Sequence, residues 1–126
     1  MIDMKMILLD VKNEVVEIVE ADGLQDYYRH IGTDVIDIVT RRIGGEPYEI
    51  ICDDEGLLKE YPKISAIDDM GQPMLVGNLL IAGGVDIEGN LEPVEIEDIE
   101  YVMQFIQTMY TRSYPEGYKM LTQVSY

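Results

Sequence analysis

The sequence predicts an α+β domain, mainly antiparallel sheet with two short helices and one long C-terminal helix. Three observations predict it. Short runs rich in β-branched and aliphatic residues recur between turn signals. Glycine steps such as Asp22-Gly23, Gly44-Gly45 and Gly83-Gly84 punctuate those runs. Residues 94–111 (VEIEDIEYVMQFIQTMYT) carry apolar side chains at helical spacing. The 126 residues fit a single domain spanning 1–126.

The elements follow in chain order. Met4–Val11 and Glu14–Val19 read as strands joined through Lys12-Asn13, an opening hairpin. Leu24, Tyr27, Tyr28 and Ile31 fall on one face of a short helix that Gly32 stops. Asp34–Ile43 is a strand, Gly44-Gly45 a hairpin turn, and Tyr48–Cys52 the returning strand. On that strand Tyr48, Ile50 and Cys52 share one face, with Glu49 and Ile51 on the other. Asp53-Asp54-Glu55 reads as a strand end, a helix cap and an acidic first turn, with Leu57-Leu58 buried and Pro62 closing the segment. Met74–Ala82 reads as one apolar strand interrupted by Gly77, and Glu88-Gly89-Asn90 as a turn. In the long helix, Ile96, Ile99, Met103, Ile106 and Tyr110 form the apolar stripe. Glu95, Glu97 and Asp98 suit its positive N-terminal dipole, and Arg112 lies just past its last turn. The tail 113–126, with Tyr114, Tyr118 and Tyr126, is too apolar to be a disordered end and is expected to pack.

Charge bounds the function. Nine basic residues against 25 acidic ones leave a net −16, which repels nucleic acid and anionic membranes at long range. Three roles survive: a merely soluble domain, an acidic mimic of DNA that occupies a basic protein, or a local pocket for a small anion. The pocket is physically reasonable because exposed charges are screened beyond about 8 Å at physiological salt. Asp3 and the lack of a small-residue cleavage site argue against a signal peptide, and the apolar runs fall short of the roughly 18 residues of a membrane span. One cysteine and no membrane segment point to a cytoplasmic setting.

Candidate chemistry is sparse. No GxGxxG, GxxxxGK[ST] or GxSxG pattern occurs. His30 is the sole histidine, so neither a metal site nor a thiol–histidine pair with Cys52 is indicated; no catalytic residue, metal or cofactor is expected. The few cations therefore matter. Arg112 lies between Tyr110 and Tyr114, with Lys119 close behind; Tyr28 precedes Arg29; Arg41-Arg42 ends a strand. Arginine binds phosphate bidentately and tyrosine faces stack on bases, so Tyr-x-Arg-x-Tyr is material for a nucleotide pocket. The motif alone reads more readily as a helix C-terminal charge beside two packed tyrosines.

The segments DVIDIV, IICDDEGLLK, MLVGNLLIAG and DIEGNLEPVEIEDIEYV, taken in order, resemble a widespread small domain of phage and bacterial proteins. With YTRSYP they look like the phage Thoeris anti-defence sponge proteins. The resemblance implies a non-enzymatic protein that sequesters intact cyclic ADP-ribose isomers, the signals of bacterial TIR-domain enzymes, in the host cytoplasm during infection. It implies homo-oligomers, dimers that build hexamers, some members also holding cyclic oligonucleotides. It maps the family's C-terminal arginine onto Arg112 and its turn asparagine onto Asn90. The second phosphate contact is left to Lys119, Arg41, Arg29 or a neighbouring subunit. The alternative function is an acidic protein-interaction or DNA-mimic inhibitor of a host nuclease, with a ligand-free phage domain and a hydrolase behind it.

Overall fold

The computed structural model describes residues 4–58 and 62–126. Along the chain come β1 (Lys5–Asp10), β2 (Val15–Glu20), α1 (Leu24–Ile31), β3 (Ile36–Ile43) and β4 (Glu46–Asp53). A single 3₁₀ turn, Gly56–Leu58, leads to β5 (Ile64–Ile67), β6 (Pro73–Val76), β7 (Leu79–Ala82), β8 (Gly84–Val85) and β9 (Leu91–Glu92). The chain ends with α2 (Ile96–Met103), β10 (Ile106–Met109), β11 (Tyr118–Leu121) and β12 (Val124–Ser125). Six strands form one sheet in the order β12-β3-β4-β7-β1-β2, antiparallel throughout. Four more form a second sheet, β10-β11-β5-β6, in which only β11 and β5 run parallel. β8 and β9 make a small ribbon.

The central strands are apolar at consecutive positions because both faces of the large sheet are covered. Ile7, Leu9, Ile50, Cys52, Leu79 and Ile81 point into one core, shared with Ala66, Met120 and Leu121 of the second sheet and Val102 beside them. Met6, Leu8, Ile51, Leu80 and Ala82 point the opposite way, onto Tyr27 and Ile31 of α1. The expected division of β4, with Tyr48, Ile50 and Cys52 against Ile51, is therefore a division between two cores. Gly44 and Gly45 turn the β3–β4 hairpin at φ of 57° and 97°, a region that suits glycine. The Tyr101 hydroxyl of α2 lies 2.9 Å from the carbonyls of both Ile43 and Gly44, so α2 is pinned to that hairpin.

The expectation of a long C-terminal helix over 94–111 is wrong. α2 spans only Ile96–Met103, opened by a capping box between Glu95 and Asp98, and the chain turns at Gln104 into a strand. The predicted stripe is buried only in part: Ile106 is buried and Ile99 packs against the core, but Ile96 and Tyr110 are each 70% exposed and Met103 42%. Val102, outside that stripe, is fully buried. Phe105 to Thr111 is rich in β-branched and aromatic residues, and β11 offers it a complete ladder from Ile106↔Leu121 to Met109↔Tyr118. The tail does pack, since Tyr118, Met120, Leu121 and Val124 are all buried in the chain's own core.

Two smaller expectations also change. Met74–Ala82 is two strands in two different sheets, broken at Gly77 with φ 77°. Leu58 is 81% exposed rather than buried, and the segment expected as a second helix is one 3₁₀ turn whose continuation, 59–61, lies outside the described residues.

Asn78 stands at the crossing between the sheets, 5% exposed. Its Oδ1 accepts the Val11 N–H at 3.0 Å, and its Nδ2 donates to the His30 carbonyl at 3.0 Å. Asn78→Ala leaves both groups without this partner in a buried setting and should cost about 2–4 kcal/mol. Urea unfolding checks this; a loss under half a kcal/mol would show that these bonds are not structural.

Candidate functional site

Two adjoining cavities open beside the Gly77–Asn78 crossing. The larger, about 470 Å³, is bounded by Lys12, Gly32, Gly77, Pro62, Lys63 and Tyr114. The smaller, about 260 Å³, shares Pro62 and Tyr114 and adds Thr111, Arg112, Ser113 and Tyr118. Volumes of this order suit a small organic ligand. A third hollow of about 400 Å³, walled by Met74, Leu75 and Val76, meets the larger one at Asp53 and Gly56.

The cations here are held in place. Lys63 Nζ lies 4.5 Å from the ring centroids of both Tyr114 and Tyr118. Those rings pack edge to face, 5.2 Å apart, and the Tyr118 hydroxyl donates to the Ile64 carbonyl at 2.7 Å. Lys63 also pairs with Glu14 at 3.4 Å; its side chain is 15% exposed against 52% for Glu14. The Lys12 ammonium rests over Gly32, where an added Cβ would come within 2.6 Å of it. Gly32 caps α1 with φ 88°, so Lys12 sits at the carboxyl end of that helix, where positive charge is favoured. Three of the nine basic residues, Lys12, Lys63 and Arg112, thus border these two cavities in a chain of net charge −16.

Of the residues singled out from sequence, the fold brings Arg112 and Tyr114 together at the smaller cavity. Tyr110 is exposed and folds against Gly117. Lys119 is exposed on β11, opposite Thr108. The other four sit on other elements, and none lines this pair of cavities. Asn90 is in the β8–β9 turn, its N–H bonded to Asp86 Oδ1 at 2.9 Å. Tyr28 and Arg29 are on α1, the latter 3.2 Å from Asp26. Arg41 is half-buried on β3 with its guanidinium 4.7 Å from the Tyr126 ring centroid. The Gly83 N–H is also engaged, donating to the Glu92 carbonyl at 2.9 Å. Sequence reasoning missed Lys12, Lys63 and Tyr118. No local pattern marks them, because they meet only through the fold.

The cluster at Asp53 is a turn: Asp53 Oδ1 accepts the Glu55 N–H at 2.9 Å. Among the described residues no group of three or more acids, histidine or cysteine converges to hold a metal ion. Cys52 is 5% exposed; burial, helped by the Asp37 carboxylate opposite, pushes its thiol up to about 11. No helix of the described residues is long and apolar enough to cross a membrane.

Fold and site together define a small, two-sheet α+β domain carrying a cleft bordered by Lys12, Lys63, Arg112, Tyr114 and Asp53 on an acidic body. Residues 4–109 match the pattern of DUF3846, a domain of unknown function, and the chain belongs to that family. The matched span includes Lys12 and Lys63 and ends before Arg112 and Tyr114. No curated protein and no solved structure matches the chain.

The thiol supplies a pH test. Its folded pKa of about 11 stands above the ordinary 9.0, so between those values the native state keeps a proton that the unfolded chain has lost. The stabilisation is complete below about pH 9 and is lost as pH rises toward 11. Tyr118, pushed up to about 12 by burial and its neighbour Tyr114, adds a loss of the same sign at higher pH. The urea midpoint should fall across this window, and Cys52→Ala should flatten its first part. Thiol reagents at neutral pH should label Cys52 only on unfolding; rapid labelling of native protein would contradict its burial.

Proposed function

We propose that this domain is a non-enzymatic binder of a small nucleotide anion, held in the cleft formed by Lys12, Lys63, Arg112, Tyr114 and Tyr118. The observation that carries the reading is the convergence of three cations and two tyrosines on adjoining cavities of a strongly acidic chain. Cations at a few ångströms govern a bound phosphate, while the distant acids are screened. The resemblance to Thoeris sponges supports reading the ligand as a cyclic ADP-ribose isomer, captured intact so that the immune signal never reaches its effector. Its pyrophosphate suits the cations and its adenine suits an exposed tyrosine face. Nanomolar capture requires about −12 kcal/mol. Three charge-assisted contacts at roughly 1.5–3 kcal/mol each and one stacked base at about 1–3 supply much of it, leaving the remainder to enclosure. Cys52 adds no nucleophile, being buried with its thiol held protonated at neutral pH.

A second reading rests on a different feature. Between residues 86 and 100 stand Asp86, Glu88, Glu92, Glu95, Glu97, Asp98 and Glu100, with no basic residue among them. Such a run suits the binding of a basic protein, as in a DNA-mimic inhibitor, and such binding weakens steeply with salt.

Capture decides between them. Protein incubated with cyclic ADP-ribose isomers or cyclic oligonucleotides, washed and heat-denatured, should release a nucleotide unchanged. Release of linear ADP-ribose would make the protein an enzyme. Absence of capture across the panel, with salt-sensitive binding to a basic protein, would favour the second reading. Lys63→Ala and Arg112→Ala should each weaken capture about 10- to 100-fold by calorimetry, and Arg29→Ala, outside the cleft, should not. Unchanged affinity in both cleft variants would move the site elsewhere.

A further inference from the structure

We propose that β10 is a self-association edge, on which a second copy of this chain adds its own β10 antiparallel across a two-fold axis. The two main sheets expose four edge strands, β12, β2, β10 and β6. Natural sheets protect such edges with charge, proline, bulges or brevity. β12 has only two residues. β2 carries Glu17 and Glu20 and follows Glu14. β6 starts at Pro73 and pairs through an irregular register. β10, though only four residues long, carries no charge, no proline and no bulge. It lies within Tyr101–Thr111, a stretch without a single charged residue in a chain that is 27% charged. Met103 and Tyr110, 42% and 70% exposed, flank it.

The ladder fixes which backbone groups are free. The Thr122 N–H donates to the Phe105 carbonyl at 2.7 Å, so Phe105, Gln107 and Met109 bond inward to β11. The N–H and C=O of Ile106 and Thr108 then face outward. An antiparallel copy satisfies both when Ile106 of one chain pairs with Thr108 of the other, which sets the two Gln107 residues face to face. The charges at the ends of the run agree with this direction. Glu100 precedes it and Arg112 follows it, so antiparallel pairing carries each Arg112 end toward the Glu100 end of the partner. That partner helix end, the C-terminus of α2, has no basic residue in its own last turn.

Because Cys52 is buried, Gln107→Cys introduces the one exposed cysteine. Mild oxidation with oxidised glutathione should link it into a disulfide dimer, while Glu17→Cys on the β2 edge should stay unlinked. Sedimentation from micromolar to millimolar concentration should show a reversible dimer of the unaltered chain. Gln107→Glu, which sets two carboxylates opposite each other, should return it to monomer with its unfolding midpoint retained. A chain that remains monomeric throughout overturns the proposal. So does a dimer that Gln107→Glu leaves intact and Gln107→Cys fails to cross-link.

Discussion

One buried side-chain amide ties the molecule together. Between β6 and β7 the chain leaves one sheet and enters the other, and Asn78 sits at that step with its amide bonded both ways. Its oxygen takes the end of β1; its nitrogen takes the last turn of α1. The preceding residue, Gly77, donates its N–H to the Lys63 carbonyl at 2.8 Å, which fixes the entry to β5. Lys12 and Gly32 follow directly from the two segments that Asn78 holds. The cleft is therefore a by-product of the crossing: the same hydrogen bonds that register the sheets against α1 bring Lys12, Gly32, Lys63 and Gly77 to one rim. Buried polar groups fully satisfied in this way favour one arrangement over its alternatives, because a slipped strand would leave them unpaired.

Local signals in the sequence suffice where they leave one backbone geometry open. Gly44-Gly45 allows a hairpin and little else, and Gly32 is a stop because its left-handed backbone favours glycine. The consecutive apolar residues of β4 and β7 mark strands, and the fold shows that both their faces are covered. The errors fall where two periodicities fit the same letters. Ile99, Met103, Ile106 and Tyr110 satisfy a helical spacing, while Ile106, Thr108 and Tyr110 satisfy an alternating one. The choice was made by β11, which reaches back from residues 118–121 and has no local signature next to β10. Gly77 was visible as an interruption, but only tertiary structure shows that the strands on either side of it belong to different sheets.

The cleft was half legible for the same reason. Arg112 and Tyr114 are near neighbours in sequence, so their association could be read directly. Lys63 and Tyr118 are joined by a ring contact across the fold, and Lys12 looked like an ordinary turn residue. Asn90 and Arg29 are plausible ligand contacts by residue type. Neither lines the cleft: Asn90 lies in the β8–β9 turn, its backbone N–H bonded to Asp86, and Arg29 lies on α1, paired with Asp26.

The state of Lys63 bears on how an acidic protein can hold an anion. Its ammonium is largely withdrawn from solvent between two tyrosine rings, each contributing about 0.5–2 kcal/mol of attraction, so the charge is fixed rather than mobile. Its acidic partner Glu14 is half exposed, and a pair of that kind contributes about 0–1 kcal/mol. A phosphate in the cleft would make a charge-assisted bond of roughly 1.5–3 kcal/mol with the same ammonium. The phosphate therefore wins the exchange, and Glu14 is released to water at little cost. In the proposed reading Glu14 serves as a placeholder that keeps Lys63 compensated in the free protein. The net −16 then opposes binding mainly through long-range repulsion, which salt weakens, while the cation that makes the contact remains poised.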